Sequence, residues 1–136
     1  HDVLHEFITH HKGHLPEKAE QILVDIGNVH RQRLSDDAAL WDFWWPRFLR
    51  LAHAYVPAER EWRTQAEVGL LEVRGKTDFS SPAGTFTLTA RADRLDRLRA
   101  GGWAVIDYKS AGTYSLKAMK SGDLPQLPLE GLILRR

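Results

Sequence analysis

Cysteine is absent from this chain of 136 residues. Its absence excludes disulfide bonds, and it also excludes an iron–sulfur cluster held by thiolates of this chain. The sequence has neither an apolar run long enough to span a bilayer nor a secretory signal pattern, so we expect no membrane association and a cytoplasmic location. A net charge of only +1 excludes the strong overall basicity that is typical of many nucleic-acid-binding proteins.

The charge that is present is unevenly distributed along an otherwise ordinary globular composition. Residues 1–83 contain ten Lys and Arg against thirteen Asp and Glu, whereas residues 84–136 contain nine against five. The basic C-terminal half suits a polyanionic substrate, although an ordinary solvated surface would explain the same imbalance. The length predicts a single domain with a modest core.

Helical patterns dominate the first part of the chain, and strand patterns follow. Apolar spacing predicts helices over 1–11 and 15–34, and Ser35-Asp36-Asp37 predicts the start of a third helix, which Pro46 should kink or split. Strands are predicted over 61–73, 85–98 and 103–108, with a loop at 75–84. Two C-terminal helices complete the pattern, a short one over 115–121 and a last one that begins near Gln126.

These elements predict an α/β (α+β) fold, an antiparallel three-strand meander with flanking helices. We divide the single domain 1–136 into a helical front (1–58), a catalytic meander (59–112) and C-terminal helices (113–136). A helical pattern runs from the first residue with no capping residue before it, and another continues to the last. We therefore expect the chain to be truncated at both ends.

Two predicted strands around Ala100-Gly101-Gly102 carry acids that can converge. A three-residue loop at 100–102 sets Arg99 opposite Trp103, which places Asp93 opposite Lys109 and Asp107 diagonal to Asp93, all on one face. Asp107 and Lys109 share a face by the two-residue period alone. A register one residue different would remove Asp93 from that face and bring Asp96 to it instead.

Such an arrangement predicts a metal site. Two converging carboxylates stay ionised readily only with a cation between them, and oxygen ligands suit Mg²⁺ or Mn²⁺. Lys109 could stabilise the charge that develops on a phosphate, or it could help to deprotonate a metal-bound water. The alternative is a surface hairpin with ordinary Asp and Lys side chains.

The residues around these acids carry a family resemblance. Asp93 followed by Asp107-Tyr108-Lys109 resembles the core of the PD-(D/E)xK nuclease superfamily. The segments ARADRLDRL, AVIDYKS and PQLPLEG, the last containing Gln126, are similar to RecB-like nuclease domains of AddB subunits in bacterial AddAB helicase–nucleases. The resemblance implies a restriction-endonuclease-like core with Asp93, Asp107, Lys109 and Gln126 as catalytic residues.

Further roles are implied by the same resemblance. RecB-like nucleases place a metal-binding histidine in a helical pattern H-x-x-L-x-x-F, which His1 to Phe7 match, so His1 is expected to bind Mg²⁺ with Asp93 and Asp107. His5 is the second candidate for that role. Read as H-D-x-x-H the same residues would suggest a zinc protease, but that motif normally has Glu in second place and a further ligand, which are missing.

We therefore expect a Mg²⁺-dependent deoxyribonuclease, an exonuclease that binds DNA. By resemblance it belongs to a bacterial helicase–nuclease complex for double-strand break repair by recombination, with an AddA-like helicase subunit as partner. Lys117 and Lys120 could contact phosphates or could simply be solvated. Two alternatives stay open: an inert nuclease-fold module that binds DNA or docks a partner, and a hydrolase of small phosphate esters.

Overall fold

The computed structural model describes residues 1–33, 38–109, 116–121 and 126–134. The chain forms two compact units, His1–Val68 and Gly69–Arg136, here called the helical unit and the sheet unit. In the part of the chain that the structure describes, no helix is both long and apolar enough to cross a bilayer. The predicted mixed fold with a three-strand antiparallel sheet is confirmed. The predicted division of one domain into three parts stays a prediction.

The helical unit contains α1 (Asp2–His10), α2 (Ala19–Arg33) and α3 (Ala38–Gln65). Apolar residues three and four apart place one face of each helix inside, as amphipathic spacing predicts. The α2 helix contacts both α1 and α3. The buried side chains of this core include Leu4, Phe7, Ile8, Leu23, Ala52 and Val56.

Arginines of α3 attach this helix to the segment between α1 and α2. Arg60 donates hydrogen bonds to the carbonyl oxygens of Pro16 (2.5 Å) and Glu17 (3.2 Å). Arg63 donates to the carbonyl oxygen of His11 at 2.6 Å, and its Nε lies 2.6 Å from a carboxylate oxygen of Glu59. These bonds give side-chain donors to backbone oxygens of the connecting segment, so they fix this segment against α3.

Pro46, which was predicted to kink or split the third helix, does not split it, and α3 continues to Gln65. The strand predicted from residue 61 therefore begins later, at Ala66. The Glu59–Arg63 pair is one helical turn apart, and the bonds of Arg63 to the α1–α2 segment require this turn to stay helical. Tertiary contacts thus override the strand pattern of the sequence here.

The sheet is ordered β1-β2-β3, with β1 at Ala66–Ser81, β2 at Gly84–Leu98 and β3 at Trp103–Ile106. The prediction of a loop over 75–84 is wrong, because β1 continues to Ser81 and only Pro82 and Ala83 form the turn. Side chains across the two strands explain this extension. The hydroxyl of Thr87 donates to Asp78 at 2.6 Å, and the rings of Phe79 and Phe86 stack.

Two helices follow the sheet in the chain. The short α4 (Leu116–Ser121) and the final α5 (Gln126–Leu134) confirm the two predicted C-terminal helices. The α5 helix packs against β2 and β3 and buries Ile133. This contact brings the first turns of α5 to the end of β3, where the predicted catalytic residues lie.

Candidate active site

The β2–β3 turn sets the register on which the site depends. Leu98 donates its N–H to the carbonyl oxygen of Gly102 (3.1 Å) and accepts a bond from the N–H of Gly101 (3.0 Å). Both glycines have positive φ, 97° and 89°, which residues with a side chain rarely adopt. Gly102 therefore pairs with Leu98, and the loop consists of residues 99–101 instead of the predicted 100–102.

This turn shifts the predicted register by two residues. Trp103 faces Arg97, not Arg99, and the ladder ends with Arg94 facing Ile106. Extending the ladder by one pair would set Asp93 against Asp107, so the predicted pairing of Asp93 with Lys109 is wrong. A shift of two residues keeps every side chain on its original face, which is why the predicted convergence does not depend on this error.

Asp93 is bound directly to the Asp107–Lys109 segment. Its Oδ2 accepts a hydrogen bond of 2.8 Å from the backbone N–H of Tyr108. The third strand was predicted to continue to Tyr108 but ends at Ile106. Beyond that point the Asp93 carboxylate accepts the hydrogen bond that a strand carbonyl would otherwise accept. Its donor, Tyr108, is the residue between Asp107 and Lys109.

Asp107, Lys109 and Gln126 form a connected group. The Nζ of Lys109 lies 2.8 Å from Oδ2 of Asp107 and donates to Oε1 of Gln126 at 3.1 Å. The amide nitrogen of Gln126 lies 3.4 Å from Oδ1 of Asp107. The Asp107 side chain is only 6% exposed, whereas Lys109 is 38% exposed. A buried carboxylate thus holds a partly exposed ammonium, with α5 supplying the second acceptor.

Glu130 is a member of this group that the sequence analysis missed. It is buried, with 4% exposure, and its Oε1 accepts a hydrogen bond of 2.9 Å from the amide nitrogen of Gln126. Burial raises the pKa of Glu130, and the charges of Asp107 and Asp93 raise it further. Its other oxygen is buried without a hydrogen-bond partner among the described residues. The spacing of four from Gln126 on one helix was the signal that could have identified it.

Glu72 is a second acid that the sequence analysis missed. Carboxylate oxygens of Glu72 and Asp93 lie within 4.8 Å of each other. The backbone of Glu72 has a φ of 54°, a conformation uncommon for residues other than glycine, and its side chain pairs with Arg91 at 2.5 Å. No sequence pattern signals such a backbone at a glutamate.

Asp96 lies on the face of β2 opposite to Asp93, because the two residues are three positions apart on the strand. It is fully buried and accepts two hydrogen bonds from Arg94, at 2.7 and 2.5 Å. Arg94 also donates to the hydroxyl of Tyr108 at 3.1 Å. This buried pair is therefore structural, and it supports the backbone of Tyr108, whose N–H binds Asp93 on the other side.

The remaining predicted residues belong to other elements of the chain. His1 precedes α1 in the helical unit, exposed and with Nδ1 3.5 Å from Asp2, and His5 is half-buried in α1. Lys117 and Lys120 are exposed on α4. The roles predicted for these four residues stay predictions.

Comparison with known proteins agrees with the site. The family model of the PD-(D/E)XK nuclease superfamily matches residues 1–136. An uncharacterized protein of Rickettsia bellii is 22% identical over 134 residues, which is 98% of this chain but only 16% of that protein. The chain thus spans about one sixth of the length of this relative. No solved structure matches the chain.

Proposed function

This chain belongs to the PD-(D/E)XK nuclease superfamily, and from that premise we propose that it is a Mg²⁺-dependent deoxyribonuclease that hydrolyses phosphodiester bonds of DNA. The observation that carries the proposal is the group formed by Asp107, Lys109 and Gln126, to which Asp93 is bound through the Tyr108 N–H. Paired acids beside a partly exposed lysine are the side chains that metal-assisted phosphodiester hydrolysis needs.

The acids of the sheet unit suit a divalent cation. The carboxylates of Asp93, Asp107 and Glu130 act on one another electrostatically, and Lys109 is the cation bound among them. Burial is the main cause of the raised pKa of Glu130, and the charges of Asp107 and Asp93 add to it. The other oxygen of Glu130 is buried and has no hydrogen-bond partner among the described residues. Oxygen donors of this kind prefer Mg²⁺ or Mn²⁺.

Asp93 and Asp107 would hold the ion, with His1 as the third ligand that the resemblance implies. When bound, such an ion polarises a phosphate oxygen and lowers the pKa of a coordinated water. In this site the Tyr108 N–H orients the carboxylate of Asp93, and Lys109 orients that of Asp107. These bonds hold the two carboxylates before any ligand arrives, which reduces the cost of reorganisation during the reaction.

Lys109 supplies the charge that the reaction needs from the protein itself. Its ammonium is held by two oxygen acceptors, one on Asp107 and one on Gln126, so the side chain is oriented in advance. In the proposed mechanism, Nζ stabilises the negative charge that develops on the phosphate as the bond breaks. The fixed position matters more than the charge alone, because a mobile lysine would have to be ordered in the transition state.

Gln126 depends in turn on Glu130. An ionised carboxylate can only accept hydrogen bonds, so Glu130 directs the amide nitrogen of Gln126 toward itself. The amide oxygen of Gln126 then points at Lys109. The α5 helix thus orients the lysine through one amide group.

The wider assignment follows from the resemblance to AddB nuclease domains. We propose an exonuclease that acts with an AddA-like helicase partner in double-strand break repair by recombination, with ATP-driven unwinding carried out by other domains. The exposed Lys117 and Lys120 would contact the DNA backbone. The bacterial cytoplasm is the location that this assignment implies.

Cleavage of end-labelled single- and double-stranded DNA tests the proposal. In the complete protein, Asp107→Asn and Lys109→Gln should each lower the Mg²⁺-dependent rate at least about 10²-fold, because each removes preorganised charge from the site. Matched controls are Asp42→Asn and Lys18→Gln, which change exposed residues of the helical unit and should leave the rate unchanged.

Three outcomes would contradict the proposal of a metal-dependent nuclease. Cleavage that persists in EDTA would exclude the metal-dependent mechanism. Binding of DNA with no cleavage in either metal would support the inert nuclease-fold module. Faster hydrolysis of a nucleotide monomer than of the polymer would support a hydrolase of small phosphate esters.

A further inference from the structure

The β1–β2 hairpin is much longer than the third strand that completes the sheet. β1 and β2 contain 16 and 15 residues, whereas β3 contains four. The β2–β3 ladder runs only from Arg94 to Arg97 on β2, so Gly84 to Asp93 extend beyond it. Ten residues of strand measure about 33 Å. The two strands thus continue as a ribbon, here called the arm, that ends at Pro82 and Ala83.

A basic groove crosses the arm on the tip side of Glu72. Arg74, Lys76, Thr89 and Arg91 line it, and its volume is about 650 Å³. Arg74 and Lys76 are exposed and two residues apart on β1, so their side chains leave the same face about 6.6 Å from each other along the strand. Cations repeated at this interval match successive phosphates of an extended nucleic-acid strand, each of which carries one negative charge.

The tip of the arm presents two aromatic rings to solvent. Phe79 is 41% exposed and Phe86 is 60% exposed, and their rings stack with centroids 6.2 Å apart at 28°. Cross-strand bonds fix the backbone on either side, from Thr87 to Asp78 (2.6 Å) and from the Ser81 hydroxyl to the carbonyl of Gly84 (2.9 Å). By the two-residue period of the strands, both rings lie on the face of the arm opposite to Arg74 and Lys76. Rigid, exposed aromatic rings are the usual platform for single-stranded nucleic acid.

One strand joins the tip to the active-site cluster. Seven residues of β2 separate Phe86 from Asp93, a distance of about 23 Å in an extended strand. The groove lies on the same face of the arm as Asp93, so a nucleic acid that crossed the edge of the arm from the rings into the groove would arrive at the cluster of acids. This continuity, together with the sign of the charge, favours a nucleic-acid strand over a protein or a lipid surface as the occupant.

We propose that the arm binds single-stranded DNA, with Arg74 and Lys76 on the phosphates and Phe79 and Phe86 stacked on unpaired bases, and guides the strand toward Asp93. The inference rests on the proposed nuclease function, because it names how that site receives its substrate. It also predicts that an unpaired end is bound in preference to a blunt duplex, since paired bases leave no face to stack on.

Binding of a fluorescein-labelled single-stranded oligonucleotide, followed by anisotropy in EDTA over a salt series, tests the phosphate contacts. In the complete protein, the double variant Arg74→Gln/Lys76→Gln should bind about tenfold more weakly. Its slope of log K against log salt should fall by about 1.4, the value for two single-strand phosphate contacts. Arg97→Gln is the matched control, an exposed arginine at the other end of β2, and should leave the slope unchanged. An unchanged slope in the double variant would overturn the proposal.

Photo-crosslinking of an oligonucleotide that carries 5-iododeoxyuridine tests the stacking. Phe79→Leu/Phe86→Leu keeps apolar side chains at the tip but removes the rings, so crosslinks there should disappear and affinity should fall about tenfold. Equal crosslinking by the wild type and this variant would contradict the proposal. So would equal affinity for a blunt duplex, or binding of anionic phosphatidylserine vesicles that competes with DNA, which would assign the arm to membranes.

The two proposals fail in different ways. Asp107→Asn should lose cleavage and keep arm binding, because binding is measured without metal. If that variant cleaves normally while the arm variants bind weakly, only the nuclease assignment fails. If Asp107→Asn loses cleavage while the arm variants bind normally, only the proposal of DNA binding by the arm fails.

Discussion

Glu59 of the helical unit and Glu130 of the sheet unit are similarly buried but differently paired. In the helical unit, Glu59 is 5% exposed and contacts both Arg63 (2.6 Å) and the hydroxyl of Tyr55 (3.3 Å). In the sheet unit, Glu130 is 4% exposed, and one of its oxygens has no hydrogen-bond partner among the described residues. Similar burial thus accompanies a satisfied charge in one unit and an unsatisfied one in the other.

This difference separates structural charge from functional charge. Burying a charge is costly unless it is paired, so a fold keeps an unsatisfied acid only where something else stabilises it. Glu130 lies in the field of Asp107 and Asp93, which raises its pKa further, whereas the hydrogen bond from Gln126 and the charge of Lys109 lower it. An acid with a perturbed pKa that lies among other acids is typical of a functional site. Both carboxylate oxygens of Glu59 have partners, so Glu59 carries no such implication.

The sheet unit also contains a satisfied pair, and breaking it should have the largest effect on stability. Arg94 and Asp96 are both fully buried and joined by two hydrogen bonds. Arg94→Met should lower the free energy of unfolding by about 3–5 kcal/mol, because it leaves Asp96 as an uncompensated buried charge. Urea denaturation followed by circular dichroism measures the change.

The double variant Arg94→Met/Asp96→Leu sharpens this prediction. It removes both charges, so it should be considerably more stable than Arg94→Met alone. Arg97→Met, at an exposed position of the same strand, should change stability by less than about 0.5 kcal/mol. A single variant as stable as the wild type would show that this pair is not structural and would weaken the contrast with Glu130.

Glycine substitutions compare the packing of the two units. A Cβ on Gly27 of α2 would lie 2.3 Å from a ring carbon of Phe48, whereas a Cβ on Gly131 of α5 would meet nothing within 4 Å. Gly27→Ala should therefore lower the free energy of unfolding by about 1–2 kcal/mol, since overpacking outweighs the better helix propensity of alanine. Gly131→Ala should raise it by about 0.5–1 kcal/mol. Thermal denaturation of both variants measures these changes, and equal effects would contradict the packing difference.

The sequence predicted the parts of the fold that local patterns determine. The mixed fold, the three helices of the first half and the glycine turn between two strands follow from period and turn residues. The convergence of Asp93 with Asp107 also follows, because an even register shift does not change the face of a strand. The pairing itself was wrong, since the hydrogen bonds of Gly101 and Gly102 determine which residue begins the loop.

The missed features depend on contacts distant in sequence. The end of α3 is fixed by the bonds of Arg63 to the α1–α2 segment about fifty residues away. Glu130 belongs to the site only because α5 packs on β2 and β3. Glu72 lies beside Asp93 through a strand pairing and an unusual backbone conformation. Periodicity within one element contains none of this information.

The smallest predicted effect is a pair of pH dependences of opposite sign, one for each unit. Burial lowers the pKa of His11 below its ordinary 6.5, with the charges of His10 and Arg63 adding to the effect. Its neutral form therefore stabilises the fold above pH 6.5, and that contribution is lost as the pH falls through the lower folded pKa. Burial raises the pKa of Glu130 above 4.5, so its contribution is present below that pH and is lost as the pH rises.

Removing each titrating group should flatten a different part of the stability curve. In urea denaturation between pH 4 and 8 with EDTA present, His11→Gln should reduce the loss of stability below pH 6.5, and Glu130→Gln should reduce the loss above pH 4.5. Glu130→Gln keeps an acceptor for Gln126, so its effect reports charge and not the hydrogen bond. If Glu130→Gln leaves the dependence above pH 4.5 unchanged, Glu130 carries no electrostatic strain. The contrast between the two units would then rest on geometry alone.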